Sequence, residues 1–556
     1  MENFERNSAQ QKTSKKTSLL ASGLSLSFFT LCSRILGLVR EMTKAAFLGT
    51  SRFADAFGVA FMIPNLLRRL FAENSISVAF IPTFRAYLEQ NNLEGENSVS
   101  STKEFLNATL TLISFFTTCT VILGIALSPF IVPLFLDSED SFLLKEATLL
   151  TRIMFPYLFV ISIAAFFQGI LNGVKIFSPS GFTPVLFNSV VIACTYILTP
   201  ILTKDISNTQ EKAQMAARAM AIGVMSGGFI QAIFQLPFVI KTGWVCHFTT
   251  LKKAFKNPGT KKVLKLIGPT VVGMAAYQLN DVVSTALAGK AGVGIVSSLQ
   301  YSLRLQELIL GIFAVSIGTV ILPDLSALAN SKKWQEFNLL LSKAIKIIAL
   351  ISIPVTLYSL VCGKEIISIV YKSKSFDDNS VRLTMNAFKF HIAGLFFIAM
   401  NRVVSPAFYA QGNTKSPALA GILGLVINMI FALALIKAMS GGGIALALSL
   451  GSLANSILLF IFLKKNSDID VKSVVRGTVL YSLKILVYSF VASIPVLFLR
   501  RLILPFFENF GRLLSFGGVL VITASCFGLC FILILALTKD KMLDALLKMI
   551  KKKLKR

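Results

Sequence analysis

The stretch Ser33-Arg34-Ile35-Leu36-Gly37-Leu38-Val39-Arg40-Glu41 sets three charged side chains in an apolar run. The surrounding 19–84 is mostly hydrophobic, yet it carries Arg34, Arg40, Glu41, Asp55, Arg68, Arg69 and Glu73. A charge at the centre of a bilayer costs about 2.5–3.5 kcal/mol on insertion scales. Such residues are rare in spanning helices and face a cavity or a partner. Several cations near one end of a many-span chain point to an anionic cargo. On a helix, Ser33, Gly37 and Arg40 fall at i, i+4 and i+7 and share a face; Arg34, Gly37 and Glu41 share an adjacent one. Gly37 leaves room for a neighbouring helix or a ligand. A plainer alternative has Arg40 and Glu41 close the helix in the headgroup region.

The rest of the chain supports a membrane reading. Of 556 residues, 54% are hydrophobic and 15% charged, where a soluble domain has about 25% charged residues. Mean hydropathy is +0.72. Apolar runs of about 20 residues, enough to span, recur throughout, and no polar stretch is long enough for a separate soluble domain. The net charge of +28 does not imply nucleic acid, because the basic residues lie mainly in short connectors, where they fit the positive-inside rule and attraction to anionic lipid. Seven scattered cysteines form no CxxC pair and read as small hydrophobes. Only His247 and His391 exist, against a histidine metal centre. Residues 1–18 are polar and basic and read as a cytoplasmic tail, and no small-residue cleavage pattern precedes Arg34.

The expected fold is all-α and polytopic, with about fourteen transmembrane helices. Their approximate limits are 19–40, 54–85, 105–135, 147–173, 182–203, 215–240, 264–288, 293–325, 338–362, 386–411, 416–438, 442–464, 476–499 and 512–537. The second and eighth are long enough to be broken. Basic loops of one parity (241–263, Lys332-Lys333, Lys464-Lys465 with Lys472 and Arg476, the 538–556 tail) put both termini in the cytoplasm. The acidic Asp137-Ser138-Glu139-Asp140 lies opposite. One connector runs against the rule: 363–382 holds Lys364, Lys372, Lys374 and Arg382 on the expected outer face, partly offset by Glu365, Asp377 and Asp378.

Two segments read as copies. Ser75-Ile76, Pro82 and Ala86 match Ser316-Ile317, Pro323 and Ala327 at an offset of 241; Ser178-Pro179 with Asn188 matches Ser416-Pro417 with Asn428, the Ser-Pro pairs offset by 238. This suggests two pseudo-symmetric six-helix lobes, 19–240 and 264–464, as parallel repeats with a substrate site between them. Two added helices fill 476–537.

Further charged positions join the candidate site. Pro64 should kink the second helix. Arg69 and Glu73, at i and i+4, can pair; Arg68 lacks that option and is the better ligand candidate. Tyr301, Arg304 and Glu307 interrupt the apolar eighth helix, and the i, i+3 spacing of Arg304 and Glu307 also permits a structural pair.

These stretches resemble the MurJ (MviN) family of lipid II flippases, within the multidrug/oligosaccharidyl-lipid/polysaccharide exporter superfamily. The carrying motifs are SRILGLVRE (33–41), ADAFGVAFMIPNLLRRLFAE (54–73), AFIPTF (79–84), YSLRLQE (301–307), ILPDLS (321–326) and FYAQGNTKSP (408–417). The resemblance implies two lobes around a cationic cavity and alternating access. It implies that Arg34, Arg40, Arg68 and Arg304 hold the pyrophosphate of lipid II. Ser33, Glu41, Asp55, Asn65, Arg69, Glu73 and Glu307 would support them. The last two helices would form a groove for the undecaprenyl chain. The resemblance places the protein in a bacterial cytoplasmic membrane, in peptidoglycan biosynthesis and cell shape, with membrane lipids and cell-wall synthesis proteins as further partners. Departures are Glu41 for the usual Asp, Asn74 where the family has Gly after Ala-Glu, and Leu303 where an acid often stands. A sodium ion bound by some relatives has Asn280, Asp281 and Asn401 as its nearest candidates here.

No G-x-x-x-x-G-K-[ST] loop occurs, so no direct use of ATP is expected. Carrying about two negative charges out of an inside-negative cell gains about 4–5 kcal/mol per 100 mV. Sodium or proton coupling is the alternative. The competing functions are an exporter of drugs or of another lipid-linked glycan, a membrane-embedded transferase, and a scaffold. A transferase needs paired acids at a membrane face, and only Asp377-Asp378 and the 137–140 acids offer them.

Overall fold

The computed structural model of the chain describes residues 28–70, 76–94, 96–136, 139–465, 468–507 and 509–544, with backbone alone at 77, 92–94, 96, 97, 269–277 and 312–320. Among these residues every regular element is helical, as a chain of long apolar runs requires in lipid, where each backbone polar group must be satisfied within its own segment.

The elements are α1 (28–48), α2 (Arg52–Arg68), α3 (Ile81–Glu94), α4 (Glu96–Ile131), α5 (Ser141–Met154), α6 (Tyr157–Gly173), α7 (Ser178–Leu202), α8 (Thr209–Lys241), α9 (Leu251–Lys256) and α10 (Pro258–Ala291). Then come α11 (Ile295–Asn330), α12 (Trp334–Val361), α13 (Gly363–Tyr371), α14 (Asp378–Ala393), α15 (Leu395–Tyr409), α16 (Lys415–Met439), α17 (Gly441–Leu463), α18 (Val471–Phe507) and α19 (Arg512–Leu537). Nine helical segments among the described residues are long and apolar enough to cross a membrane, or ten with the α14–α15 pair, which bends by 40°. The long α10 and α11 are not among them, and each contains a stretch described by backbone alone.

The chain forms two compact units, Met1–Val282 and Val283–Arg556. In the first, α7 and α8 pack as a tight hairpin. Gly223 and Gly227 allow it: a Cβ at Gly223 would lie 3.1 Å from the Val191 Cα, and one at Gly227 2.9 Å from the Phe187 ring. Stacked Phe80, Phe84 and Phe105 fill the core beside α6. The connector after α8 is tied to α4, since the His247 amide donates to Asn107 Oδ1 (2.7 Å) and the Thr249 amide to Thr111 Oγ1 (3.0 Å).

In the second unit α16 and α17 cross closely, because Gly451 sits against the Gly424 carbonyl and Asn428. The bend between α14 and α15 falls at Gly394, where a Cβ would meet Ser449 Oγ at 2.2 Å. The added helices pack within this unit: α18 lies on α12, and α19 on α13 and α18. Tyr358 Oη donates to the Leu520 carbonyl at 2.9 Å.

Of the two runs expected to be broken, the first is helical over Arg52–Arg68 and again from a π-helical turn at Ile76–Phe80 into α3, with 71–75 outside the described residues. The second is the continuous α11, which keeps Pro323 inside. Both prolines of the suggested repeat lie within helical runs, Pro82 just past the π-helical turn and Pro323 inside α11, and each lacks a backbone donor.

Candidate functional site

Unit 1 gathers charge around α1 and α2. Arg40 Nη1 donates to Asn188 Oδ1 (3.2 Å), and Nη2 pairs with Glu41 Oε1 (2.8 Å). The guanidinium lies over Phe61 and Phe187, 5.9 and 5.7 Å from the ring centroids. Asn188 Nδ2 in turn donates to the Ser33 carbonyl at 3.3 Å. A half-buried cation thus sits between apolar rings, oriented by one amide and one carboxylate. Ser33 contributes its backbone to this arrangement, while Arg34, on the adjacent face, is exposed.

α2 begins with Ser51, whose Oγ accepts the Ala54 amide, and this cap sets Asp55 in the first turn, only 3% exposed. Lys44 is 4% exposed, with its ammonium 5.8 Å from the Phe57 centroid. At the other end of α2, Arg68 Nε donates to Asn65 Oδ1 (3.0 Å). Arg69 turns to α10: its Nη1 lies 3.6 Å from Asp281 Oδ2 and donates to Gln278 Oε1 at 3.4 Å. Glu73, the same-helix partner expected for Arg69, lies outside the described residues. Asp281, a sodium candidate, faces a guanidinium, which opposes a cation there. Asn280 is half-buried beside it on α10.

In unit 2, Arg304 pairs with Glu307 (3.2 Å) on α11, the acid 51% exposed. The surrounding helix is anchored by Tyr301, packed against Tyr371 and Phe376. Ser302 Oγ meets His391 Nδ1 at 2.7 Å. Asn401 is taken up within the unit: its Nδ2 donates to the Ser452 carbonyl (3.0 Å), and its Oδ1 accepts from Ser456 Oγ (2.6 Å). Beside α18, against α12, α15 and α17, lies an apolar cavity of about 440 Å³ whose lining includes Phe396, Met400, Ser456, Thr478 and Leu483. No α19 residue lines it. Beyond the last span, Asp540 takes Lys484 Nζ (2.7 Å), Tyr481 Oη (3.2 Å) and the Met542 amide (2.9 Å). Burial pushes its carboxyl up, but Lys484 and the Met542 and Leu543 amides outweigh this and hold it below the usual range.

Sequence reading therefore finds the charged members but misses Lys44 and Gln278, and marks Asn188 only as part of the repeat. Lys44 had a signal: it lies one turn beyond Arg40 in the same apolar run.

The family profile "Lipid II flippase MurJ" matches residues 44–516. A probable lipid II flippase MurJ from Treponema pallidum (strain Nichols) is 44% identical over 526 residues, covering 95% of this chain and 97% of that protein. The solved structure of a lipid II flippase MurJ in an inward closed conformation superposes with a TM-score of 0.71 at 25% identity, over 92% of this chain and 98% of that one. An inward-facing multidrug resistance MATE family transporter shares the fold, with a TM-score of 0.62 at 14% identity over 80% of this chain and 96% of its own.

Proposed function

The chain belongs to the MurJ family of lipid II flippases, and from that membership we propose that it carries lipid II from the inner to the outer leaflet by alternating access, with its arginines holding the pyrophosphate. It is a multi-pass membrane transporter and not an enzyme. The observation that carries the finer reading is Arg40, a half-buried guanidinium held by Asn188 and Glu41 between two rings in an apolar unit.

An unpaired charge moved into a medium of low dielectric meets a barrier of tens of kcal/mol, so a pyrophosphate-linked lipid needs a polar path. Arginine suits it, because its planar fork binds phosphate oxygens bidentately and stays charged. Glu41 holds Arg40 in place before the cargo arrives, and the phosphate oxygens take over its donors on binding. Arg34 and Arg68 of unit 1 and Arg304 of unit 2 supply further cations. The isoprenoid chain lies against α18, where the apolar cavity gives it a surface. The lobes 19–240 and 264–464 alternate in access, both termini are cytoplasmic, and the inside-negative potential drives the anionic headgroup outward. Sodium or proton coupling through Asp281 or Asn401 is the outcome that would replace this drive. The pathway supplied is peptidoglycan synthesis at the bacterial cytoplasmic membrane.

The test is translocation of fluorescent lipid II in liposomes holding the full chain. Single R34A, R40A, R68A and R304A variants that remain folded should each lose most of the activity. If all four translocate normally, the arginine reading fails.

A further inference from the structure

The connector that breaks the positive-inside pattern has a structural counterpart. It joins α13 to α14, and at the same end of unit 2 the chain turns from α18 to α19. Tertiary bonds draw these segments together: Arg500 Nη2 pairs with Glu365 Oε1 at 2.7 Å, the Arg512 guanidinium donates to the Lys372 carbonyl, and Lys372 Nζ lies 5.7 Å from the Phe516 centroid. The result is one basic surface built from Lys364, Lys372, Lys374 and Arg382 on one side and Arg500, Arg501 and Arg512 on the other.

The acids there are already engaged. Glu365 is buried and holds Arg500. Asp378 pairs with Lys372 at 2.7 Å, and Asp377 accepts the Ser380 amide at 2.8 Å as the cap of α14. Glu508, in the α18–α19 turn, lies outside the described residues. Even with it counted, cations outnumber acids seven to four over 364–382 and 500–512. Lys364, Lys374 and Arg501 are exposed and make no ion pair among the described residues.

An apolar belt adjoins the cations. Leu502, Phe506, Phe510, Leu513 and Leu514 are 71%, 80%, 55%, 70% and 60% exposed. Depth agrees with a place at the membrane surface. At about 1.5 Å per residue, Phe506 stands about 33 Å along α18 from Lys484, which pairs with Asp540 just past the last span, close to the roughly 30 Å of the hydrocarbon core. Cations at headgroup depth beside large apolar side chains are the pattern of an interfacial anchor, attracted to anionic lipid by about 1 kcal/mol per Lys or Arg.

We propose that this end of unit 2 is a binding site for the phosphate headgroup of anionic phospholipid, with Lys364, Lys374 and Arg501 as its free cations and Leu502, Phe506 and Leu513 seated among the lipid chains. The site depends neither on the proposed cargo nor on which leaflet it faces. Bulk phospholipid is the occupant, and not the transported lipid, because the surrounding apolar side chains are exposed rather than gathered around a cavity.

The test uses the full chain carrying F506W in phosphatidylcholine liposomes. Its fluorescence, less that of the unsubstituted chain, is quenched by brominated phosphatidylglycerol or brominated phosphatidylcholine at equal mole fraction. Phosphatidylglycerol should quench about twofold or more better. The preference should fall to near one in K364Q/K374Q/R501Q, and also in the F506W chain without those changes at about 1 M salt, where screening is nearly complete. The salt arm needs no folded triple variant. Equal quenching by the two lipids overturns the site. Recovery of fluorescence on adding a trace of undecaprenyl pyrophosphate also overturns it, by giving the surface to the cargo. Loss of translocation in the R40A variant with the lipid preference intact would leave this site standing independently of the proposed mechanism.

Discussion

At Arg40, a single guanidinium has its orientation set by Asn188 and Glu41, residues 148 and 1 positions away in sequence. Removing Asn188 leaves the charge but frees its direction. An N188A variant should keep folded protein in the membrane and slow lipid II translocation by roughly tenfold, about the 1–1.5 kcal/mol of one hydrogen bond. R40K should be slower still, because a point charge lacks the fork; a rate equal to that of the unsubstituted chain would refute the positioning role. The charged residues were legible in the sequence because a charge in a hydrocarbon run is conspicuous. Their long-range partners were not. Spacing on one helix offers only Glu73 to Arg69, and the fold adds Asp281 and Gln278 from α10. A further prediction concerns Asp540. Its carboxyl is held below the usual range, so its stabilising effect is full above the unfolded value of about 3.9 and is lost as pH falls through the lower folded value. D540N should lower thermal stability at pH 7 by about 1–3 kcal/mol, and the gap between variant and parent should close below about pH 4.

Helices are legible in this chain wherever an apolar run is long and bounded, as in α16 and α17, expected at 416–438 and 442–464 and found at Lys415–Met439 and Gly441–Leu463. Bends and interruptions were harder to read. Pro64 and Pro323 both lie inside continuous helices, while the bend at α14–α15 falls at a glycine with no proline beside it. Packing explains that bend: Gly394 accommodates Ser449, whose Oγ donates to the Phe390 carbonyl at 2.6 Å. G394A should displace Ser449 and destabilise unit 2 by about 1–3 kcal/mol. At the α16–α17 crossing, G451V should be worse, since its side chain would meet backbone at Gly424 that cannot rotate away. Thermal unfolding of the purified variants checks both, and unchanged midpoints would mean that the crossings are looser than described.

For the whole molecule, composition and hydropathy were enough to read an all-helical, many-span membrane protein, and the motifs were enough to read the family. The suggested repeat rests on a few landmarks, Ser75-Ile76 with Pro82 and Ala86, and Ser178-Pro179 with Asn188, each with a counterpart about 240 residues on. The expected orientation predicts that a cysteine placed within 252–262 reacts with an impermeant thiol reagent only after the cell is opened, and one at 139–142 reacts from outside; the reverse pattern would invert the topology. The central claim is that arginines set in apolar helices carry an anionic headgroup outward under the membrane potential. The most direct measurement is the initial rate of fluorescent lipid II translocation by the full chain in liposomes, with and without an imposed potential, beside the R40A variant. The account predicts that transport toward the positive side is accelerated by the potential in the parent and is nearly absent in the variant at any potential. A parent rate that ignores the potential but stops when sodium or a proton gradient is removed would contradict it.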